Sequence, residues 1–69
     1  MSKLVIFANG KAQQVSEEKS VEKFVQEMGL KSSMVFVELN GQALLRGEWS
    51  NAYLQHGDRL EVMRVVAGG

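Results

Sequence analysis

Two Asn-Gly dipeptides, at positions 9–10 and 40–41, constrain the fold more than any other feature of this sequence. Each one follows an apolar run, over residues 4–8 and 34–39, and precedes a second, strand-like run. Asn and Gly readily adopt the positive φ angles of a two-residue hairpin turn. The sequence therefore predicts two β-hairpins, with strands over 4–8 and 11–15 and over 34–39 and 42–45.

One amphipathic helix is predicted between the two hairpins. Ser20 is a typical N-cap, and Gly29 is suited to the left-handed residue that ends a helix. The apolar positions between them recur at spacings of three and four: Val21, Phe24, Val25 and Met28. Such a helix has one apolar face, which we expect to lie across a sheet.

The remainder of the chain predicts one further strand. Residues 46–53 are irregular or form a short helical turn, and Gly57-Asp58 is a tight turn before a strand over 59–66. The resulting order indicates an α+β fold of the β-grasp (ubiquitin-like) type, in which one main helix covers a mixed sheet of four to five strands. The first and last strands then pair at the centre, and we expect residues 1–69 to form a single domain with a flexible C-terminal Gly-Gly tail over about 66–69.

The composition excludes several classes of function. Eight basic and eight acidic residues cancel, so no basic stripe indicates nucleic acid as a partner. The sequence contains no cysteine, which excludes disulfides, thiolate metal sites and a cysteine nucleophile. The apolar run over 4–8 is too short for a signal peptide or a membrane span. We therefore expect a cytoplasmic protein, with no membrane partner, that is monomeric when alone.

The last two residues, Gly68 and Gly69, are the strongest functional signal. Two successive glycines form a thin thread that can enter a narrow tunnel and bring a terminal carboxylate to another protein's reactive centre. Taken alone, the dipeptide is also typical of a frayed chain end.

The second half of the chain resembles the ubiquitin-like sulfur carriers, and among them the ThiS family of thiamine biosynthesis. The resemblance is carried by the strand and turn over residues 35–41 and then, at the expected intervals, by Arg46, Trp49, Leu54, Gly57, Asp58, Val62, Gly68 and Gly69. It departs from the family at Leu45, where a proline is common.

This resemblance implies a protein cosubstrate rather than an enzyme. A ThiF-like adenylyltransferase would join the Gly69 carboxylate to AMP with ATP and magnesium, and a sulfur donor such as a cysteine desulfurase would lead to a thiocarboxylate. A ThiG-like thiazole synthase would then take the sulfur. Gly68, which has no side chain, would allow the tail to enter the partner's tunnel. The chain itself offers no Gly-rich phosphate loop and no magnesium cluster, so we expect no bound cofactor and no metal.

Alternation along the last strand predicts the surface that these partners contact. Residues on the side opposite the helix should be more exposed than Leu60 and Val62. The predicted partner surface consists of Arg46, Arg59, Glu61, Met63, Val65, Val66 and Ala67. Ordinary solvent-facing strand positions would give the same pattern.

Three other residues are better explained by structure than by chemistry. His56 is a lone histidine in a turn, and no second titratable group supports a role as a base. Asp58 is suited to accepting hydrogen bonds from nearby backbone amides in a turn. Trp49 is suited to covering one side of a small hydrophobic core.

Three alternative functions remain open at this point. The small subunit of molybdopterin synthase has the same fold and the same end. A protein modifier would link its last glycine to lysines, and in a plain interaction module the tail would do nothing.

Overall fold

The computed structural model describes residues 3–16 and 19–65. Its strands and helix are β1 (Lys3–Ala8), β2 (Lys11–Ser16), α1 (Val21–Glu27), β3 (Val35–Leu39), β4 (Gln42–Leu44) and β5 (Arg59–Arg64), with short 3-10 helices at Ser32–Met34 and Arg46–Glu48. The five strands form one mixed sheet in the order β2-β1-β5-β3-β4. β1 and β5 are parallel neighbours at its centre, so the predicted β-grasp arrangement is confirmed.

Both Asn-Gly turns have the predicted geometry. Asn9 and Gly10 have φ angles of 51° and 84°, and Asn40 and Gly41 have φ angles of 53° and 85°. Two successive positive φ angles give a turn whose twist matches that of the strands it joins. Accordingly, Ala8 pairs directly with Lys11 across the first turn.

The two turn asparagines also hold β5 from both sides. The side-chain Oδ1 of Asn9 accepts a hydrogen bond from the Val62 N–H at 2.8 Å, and its backbone N–H donates to the Leu60 carbonyl at 2.9 Å. On the other side of β5, Asn40 Oδ1 accepts from the Arg59 N–H at 2.9 Å. The residues that close the hairpins therefore also fix the central strand.

Helix α1 begins as predicted, but it ends at Glu27, before the last residue of its predicted apolar face. Ser20 Oγ accepts a hydrogen bond from the Lys23 N–H at 3.1 Å, which confirms Ser20 as the N-cap. Val21, Phe24 and Val25 are buried. Met28 was predicted to share this face, but it is the C-cap residue and is 42% exposed. The helix ends at Glu27, and Met28 lies at the rim of a groove beside β2.

The core fills the space between α1 and one face of the sheet. Its fully buried large side chains come from the sheet, the helix and the loop after β4: Trp49, Ile6, Leu60, Val21, Val25, Val35 and Val37. Among the described residues no buried side-chain nitrogen or oxygen lacks a hydrogen-bond partner. The opposite face of the sheet, here called the outer face, is not covered by any element within residues 3–16 and 19–65.

Several strand boundaries differ from the prediction. β1 begins at Lys3 and β2 ends at Ser16, so each is one residue longer than predicted. Met34 was expected to begin β3, but it ends the 3-10 helix Ser32–Met34. β4 stops at Leu44, one residue before its predicted end. β5 ends at Arg64, and Val66, its predicted last residue, lies outside the described residues. The short helical turn expected after position 45 is the 3-10 helix Arg46–Glu48.

Over residues 3–16 and 19–65, no helix combines the length and the hydrophobicity of a membrane span.

Candidate functional site

The candidate site combines the last strand with the chain end to which it leads. Gly68 and Gly69, predicted to carry the chemistry, lie outside the described residues, as do Val66 and Ala67. Backbone hydrogen bonds fix the described chain as far as Val65, whose N–H donates to the Met34 carbonyl at 2.8 Å. β1 pairs with β5 only at Arg59 and Leu60, whereas β3 pairs with it up to Arg64, so the segment before the chain end is supported from the β3 side.

The predicted alternation along β5 is present. Leu60 and Val62 are buried against the helix side, whereas Arg59, Glu61 and Met63 are exposed. Val65 follows them with intermediate exposure. Strand geometry puts all of the exposed set on the outer face, the side away from α1.

Arg46 reaches the same region from the 3-10 helix after β4. Its Nη2 donates a hydrogen bond to the Val35 carbonyl at 3.2 Å, and its guanidinium lies 5.6 Å from the centre of the Trp49 ring. β4 ends at Leu44, opposite Val37, so no strand in the described part of the chain lies beside the β3 edge at Val35. The Arg46 side chain therefore supports the β3 edge as well as being exposed.

Arg46 and Met63 line one cleft, with a volume of about 510 Å³. Its lining is mostly apolar and includes Phe36 and Leu45, which are 59% and 70% exposed. Phe36 lies directly opposite Met63 on the neighbouring strand. We call the group Phe36, Leu45, Arg46 and Met63 the apolar cleft.

The structure separates the predicted partner surface into two parts. Met63 and Arg46 belong to the apolar cleft. Arg59 precedes Met63 by four residues on β5, a distance of roughly 13 Å along the strand, and lies beside Phe7 of β1. Between them, Glu61 lies directly opposite Glu38. The outer face therefore has an apolar end, an acidic middle and a basic residue at the far end.

Phe36 and Leu45 were not predicted from the sequence to belong to this surface. The run over 35–39 contains four apolar residues out of five, so alternation does not distinguish its two faces. Leu45 was assigned to a strand, where its exposure could not be inferred. The available signal was the pairing itself: once Met63 faces outward, its partner Phe36 must do the same.

The remaining conspicuous side chains have structural roles. Asp58 Oδ2 accepts from the Gln55 N–H at 2.8 Å, as expected of a turn carboxylate. His56 is exposed, and its Nδ1 accepts from the Val5 N–H at 3.1 Å. Trp49 is only 2% exposed, and its Nε1 donates to the Leu44 carbonyl, which confirms that it belongs to the core. In the described part of the chain, acidic and histidine side chains form no cluster able to hold a metal.

Comparison with known proteins agrees with this architecture. The model of the ThiS family matches residues 3–69. A crystal structure of the thiamine biosynthesis protein ThiS from Geobacter metallireducens is 28% identical, with a TM-score of 0.82, and the match covers 96% of this chain and 100% of that one. A solution structure of a thiamine biosynthesis protein from the same organism is 28% identical, with a TM-score of 0.79 and coverage of 96% and 88%. Curated protein sequences give no match. Because the family model matches nearly the whole chain, this chain belongs to the ThiS family.

Proposed function

We propose that this chain carries sulfur for thiamine biosynthesis as a thiocarboxylate at Gly69. The observation that carries the proposal is the family match, which extends over residues 3–69 and so includes Gly68 and Gly69. In this role the chain is a cosubstrate that partner enzymes act on in turn, and it works in the cytoplasm, where ATP is available for its activation.

Activation is necessary because a carboxylate is a poor electrophile, with its negative charge shared by two oxygens. A ThiF-like adenylyltransferase supplies it: a Gly69 carboxylate oxygen attacks the α-phosphorus of ATP and pyrophosphate leaves. Magnesium and basic groups of that enzyme offset the phosphate charge. Sulfide then displaces AMP and leaves the thiocarboxylate directly. Where the donor is instead the persulfide of a cysteine desulfurase, its attack releases AMP and forms an acyl disulfide, which a thiol reductant cleaves to the thiocarboxylate. A ThiG-like thiazole synthase receives this sulfur.

The outer face supplies a surface by which such partners recognise the chain. Phe36 and Met63 are exposed side by side, and an aromatic side chain in a shallow apolar cleft is typical of an interaction hot spot. Beside them, Glu38 and Glu61 form an acidic pair that favours a basic residue on the partner. A partner bound at the cleft would contact β5, the strand that precedes the chain end.

The proposal is tested by loading the carrier and locating the sulfur. The protein is incubated with ATP, magnesium, a ThiF-like adenylyltransferase and a sulfide source, and then with a thiol-alkylating reagent. Because the sequence has no cysteine, a carrier without thiocarboxylate stays unlabelled. We expect one alkyl group, located by mass spectrometry on the C-terminal peptide.

Two controls define the outcome. Deletion of Gly69 should abolish the label, since the acceptor carboxylate then sits on a different residue. Alkylation is needed because exchange of oxygen for sulfur has the same nominal mass change as oxidation of one of the four methionines. Absence of label with active cognate enzymes would contradict the proposal, and isopeptide adducts on lysines would favour a protein modifier instead.

A further inference from the structure

Strand β2 is an edge strand with an open row of backbone groups. Because the turn at 9–10 is a two-residue hairpin, Ala8 and Lys11 form a hydrogen-bonded pair, and such pairs recur at every second residue. Gln13 and Val15 of β2 therefore also bond to β1. Ala12, Gln14 and Ser16 direct their N–H and C=O groups away from the sheet.

The bonds of β1 support this assignment. Phe7 and Val5 lie opposite Ala12 and Gln14, and their backbone groups turn the other way. The Phe7 N–H donates to the Asp58 carbonyl and the Val5 carbonyl accepts from the Gly57 N–H, each at 2.8 Å. Within residues 3–16 and 19–65, no backbone hydrogen bond connects the outward groups of β2 to another element.

This edge lacks the features by which proteins usually prevent strands from pairing. Exposed edges are commonly protected by charged side chains, by proline or by a bulge. Residues 12–16 are Ala, Gln, Gln, Val and Ser, with neither charge nor proline. Their register with β1 runs through six consecutive pairs without interruption. The single charge on β2 is Lys11, at its beginning.

A groove on the helix side of β2 adds an apolar component. It has a volume of about 380 Å³ and lies between β2 and α1. Phe24 and Met28 line it from the helix and Val15 from the strand. Lys19 and Glu27 also line it and are joined in an ion pair. The exposure of Met28, which the core does not require, places an apolar side chain beside the open edge.

We propose that β2 is an interface between two copies of this chain, paired antiparallel about a two-fold axis at Gln14. In this register Gln14 faces Gln14 of the second copy, Ala12 faces Ser16, and Gln13 faces Val15. The outward groups of both strands then complete a continuous ladder, and no charged residue faces another between positions 12 and 16. The edge is therefore self-complementary.

The same symmetry brings the two grooves together. A two-fold axis between antiparallel strands is perpendicular to the sheet, so both α1 helices lie on the same side of the ten-stranded sheet that results. Met28 of each copy then faces the seam. Each groove brings Lys19 together with Glu27, so neither copy presents an uncompensated charge there.

The expected dimer is weak and leaves the functional surface free. Stable interfaces bury roughly 1,200–2,000 Å², and one short strand pair with a flanking groove offers less. Association should therefore be reversible and appear as concentration rises. The seam is separated from β5 by β1, so the apolar cleft stays accessible in both copies.

Charge substitution at the axis tests the pairing directly. Gln14→Lys and Gln14→Glu each place two like charges opposite one another across the seam, whereas an equimolar mixture of the two variants places opposite charges there. By sedimentation velocity from micromolar to millimolar protein, we expect a reversible dimer of the unmodified chain, monomers of each variant alone, and a dimer again in the mixture. Like charges opposite one another on paired strands are destabilising, and opposite charges are favourable.

Two further variants identify the surface. Gln14→Pro removes an outward N–H without removing a bond to β1, and should be monomeric with an unchanged circular dichroism spectrum. Phe36→Ser alters the apolar cleft and should dimerise as the unmodified chain does. Hydrogen exchange at Ala12, Gln14 and Ser16 should slow as concentration rises. A chain that stays monomeric at millimolar concentration, or a dimer lost in Phe36→Ser but kept in the Gln14 variants, would overturn the proposal.

Discussion

Replacing Asn9 by glycine should destabilise the protein although the turn keeps its shape. Glycine adopts a φ of 51° freely, so Asn9→Gly removes only the side-chain amide and its bonds to β5. The bond from the Val62 N–H is short, at 2.8 Å, whereas the one to the Val62 carbonyl is long, at 3.4 Å. The bond to the Val62 N–H is part-buried, so water compensates only in part for the group left unpaired.

The loss of unfolding free energy in Asn9→Gly comes mainly from the Val62 N–H, which loses its hydrogen-bond acceptor. Leaving a buried N–H unpaired costs about 1–3 kcal/mol. The added backbone entropy of glycine costs about 0.5–1 kcal/mol more. We therefore expect a loss of about 1.5–4 kcal/mol. Each kcal/mol lowers the midpoint of a domain this small by about 4–8 °C. Asn9→Ala should lose about 1 kcal/mol beyond that, because alanine is strained at positive φ.

Urea unfolding measured by tryptophan fluorescence is the assay, since Trp49 is the only tryptophan and is buried. The matched control is Asn51→Gly, the same substitution at an exposed turn residue whose side chain makes no hydrogen bond in the described structure. If Asn9→Gly unfolds at the same urea concentration as the Asn51 control, the amide does not hold β5 and the reasoning is wrong.

Three other predictions separate function from folding. Gly68→Ala should keep the unfolding midpoint but slow adenylation by about 100-fold, as expected when a reacting group is displaced by a methyl-sized obstruction; normal rates would contradict the tail's proposed role. Phe36→Ala should weaken binding to the adenylyltransferase by about 1–2 kcal/mol in calorimetry, while Tyr53→Ala, an exposed aromatic with 53% exposure, should not. Ser20→Ala should cost about 1 kcal/mol of stability by removing the N-cap bond of α1, measured by thermal unfolding.

The sequence predicted the fold well because its local signals agreed with one another. Both Asn-Gly turns, the Ser20 cap and the alternation at Leu60 and Val62 each depend on a few neighbouring residues. Such local preferences can be inferred without knowing the partners in space. The errors occurred at boundaries: Met28 was placed on the buried face by spacing alone, and the end of α1 at Glu27 shifted it to the rim.

The candidate site was predicted less completely because it depends on contacts between distant segments. Arg46 was expected beside the last strand, but its bond to the Val35 carbonyl follows from the early end of β4. Phe36 was missed because an apolar run does not show which side chains face outward until its partner strand is known. The surface is thus a property of the register between β3 and β5, which spans more than twenty residues of sequence.

The same register explains why substitutions can separate binding from stability in so small a protein. On β5, Leu60 and Val62 face the core, while Glu61 and Met63, which alternate with them, face outward. Every second residue can therefore be changed without opening the core, provided that Asn9 and Asn40 continue to hold the strand's backbone. Substitutions at those two asparagines should impair partner binding only in proportion to the protein they unfold, whereas those at Phe36 or Met63 should impair it in protein that is fully folded. Comparing affinity with the folded fraction in one set of variants would therefore distinguish the strand's support from its binding surface.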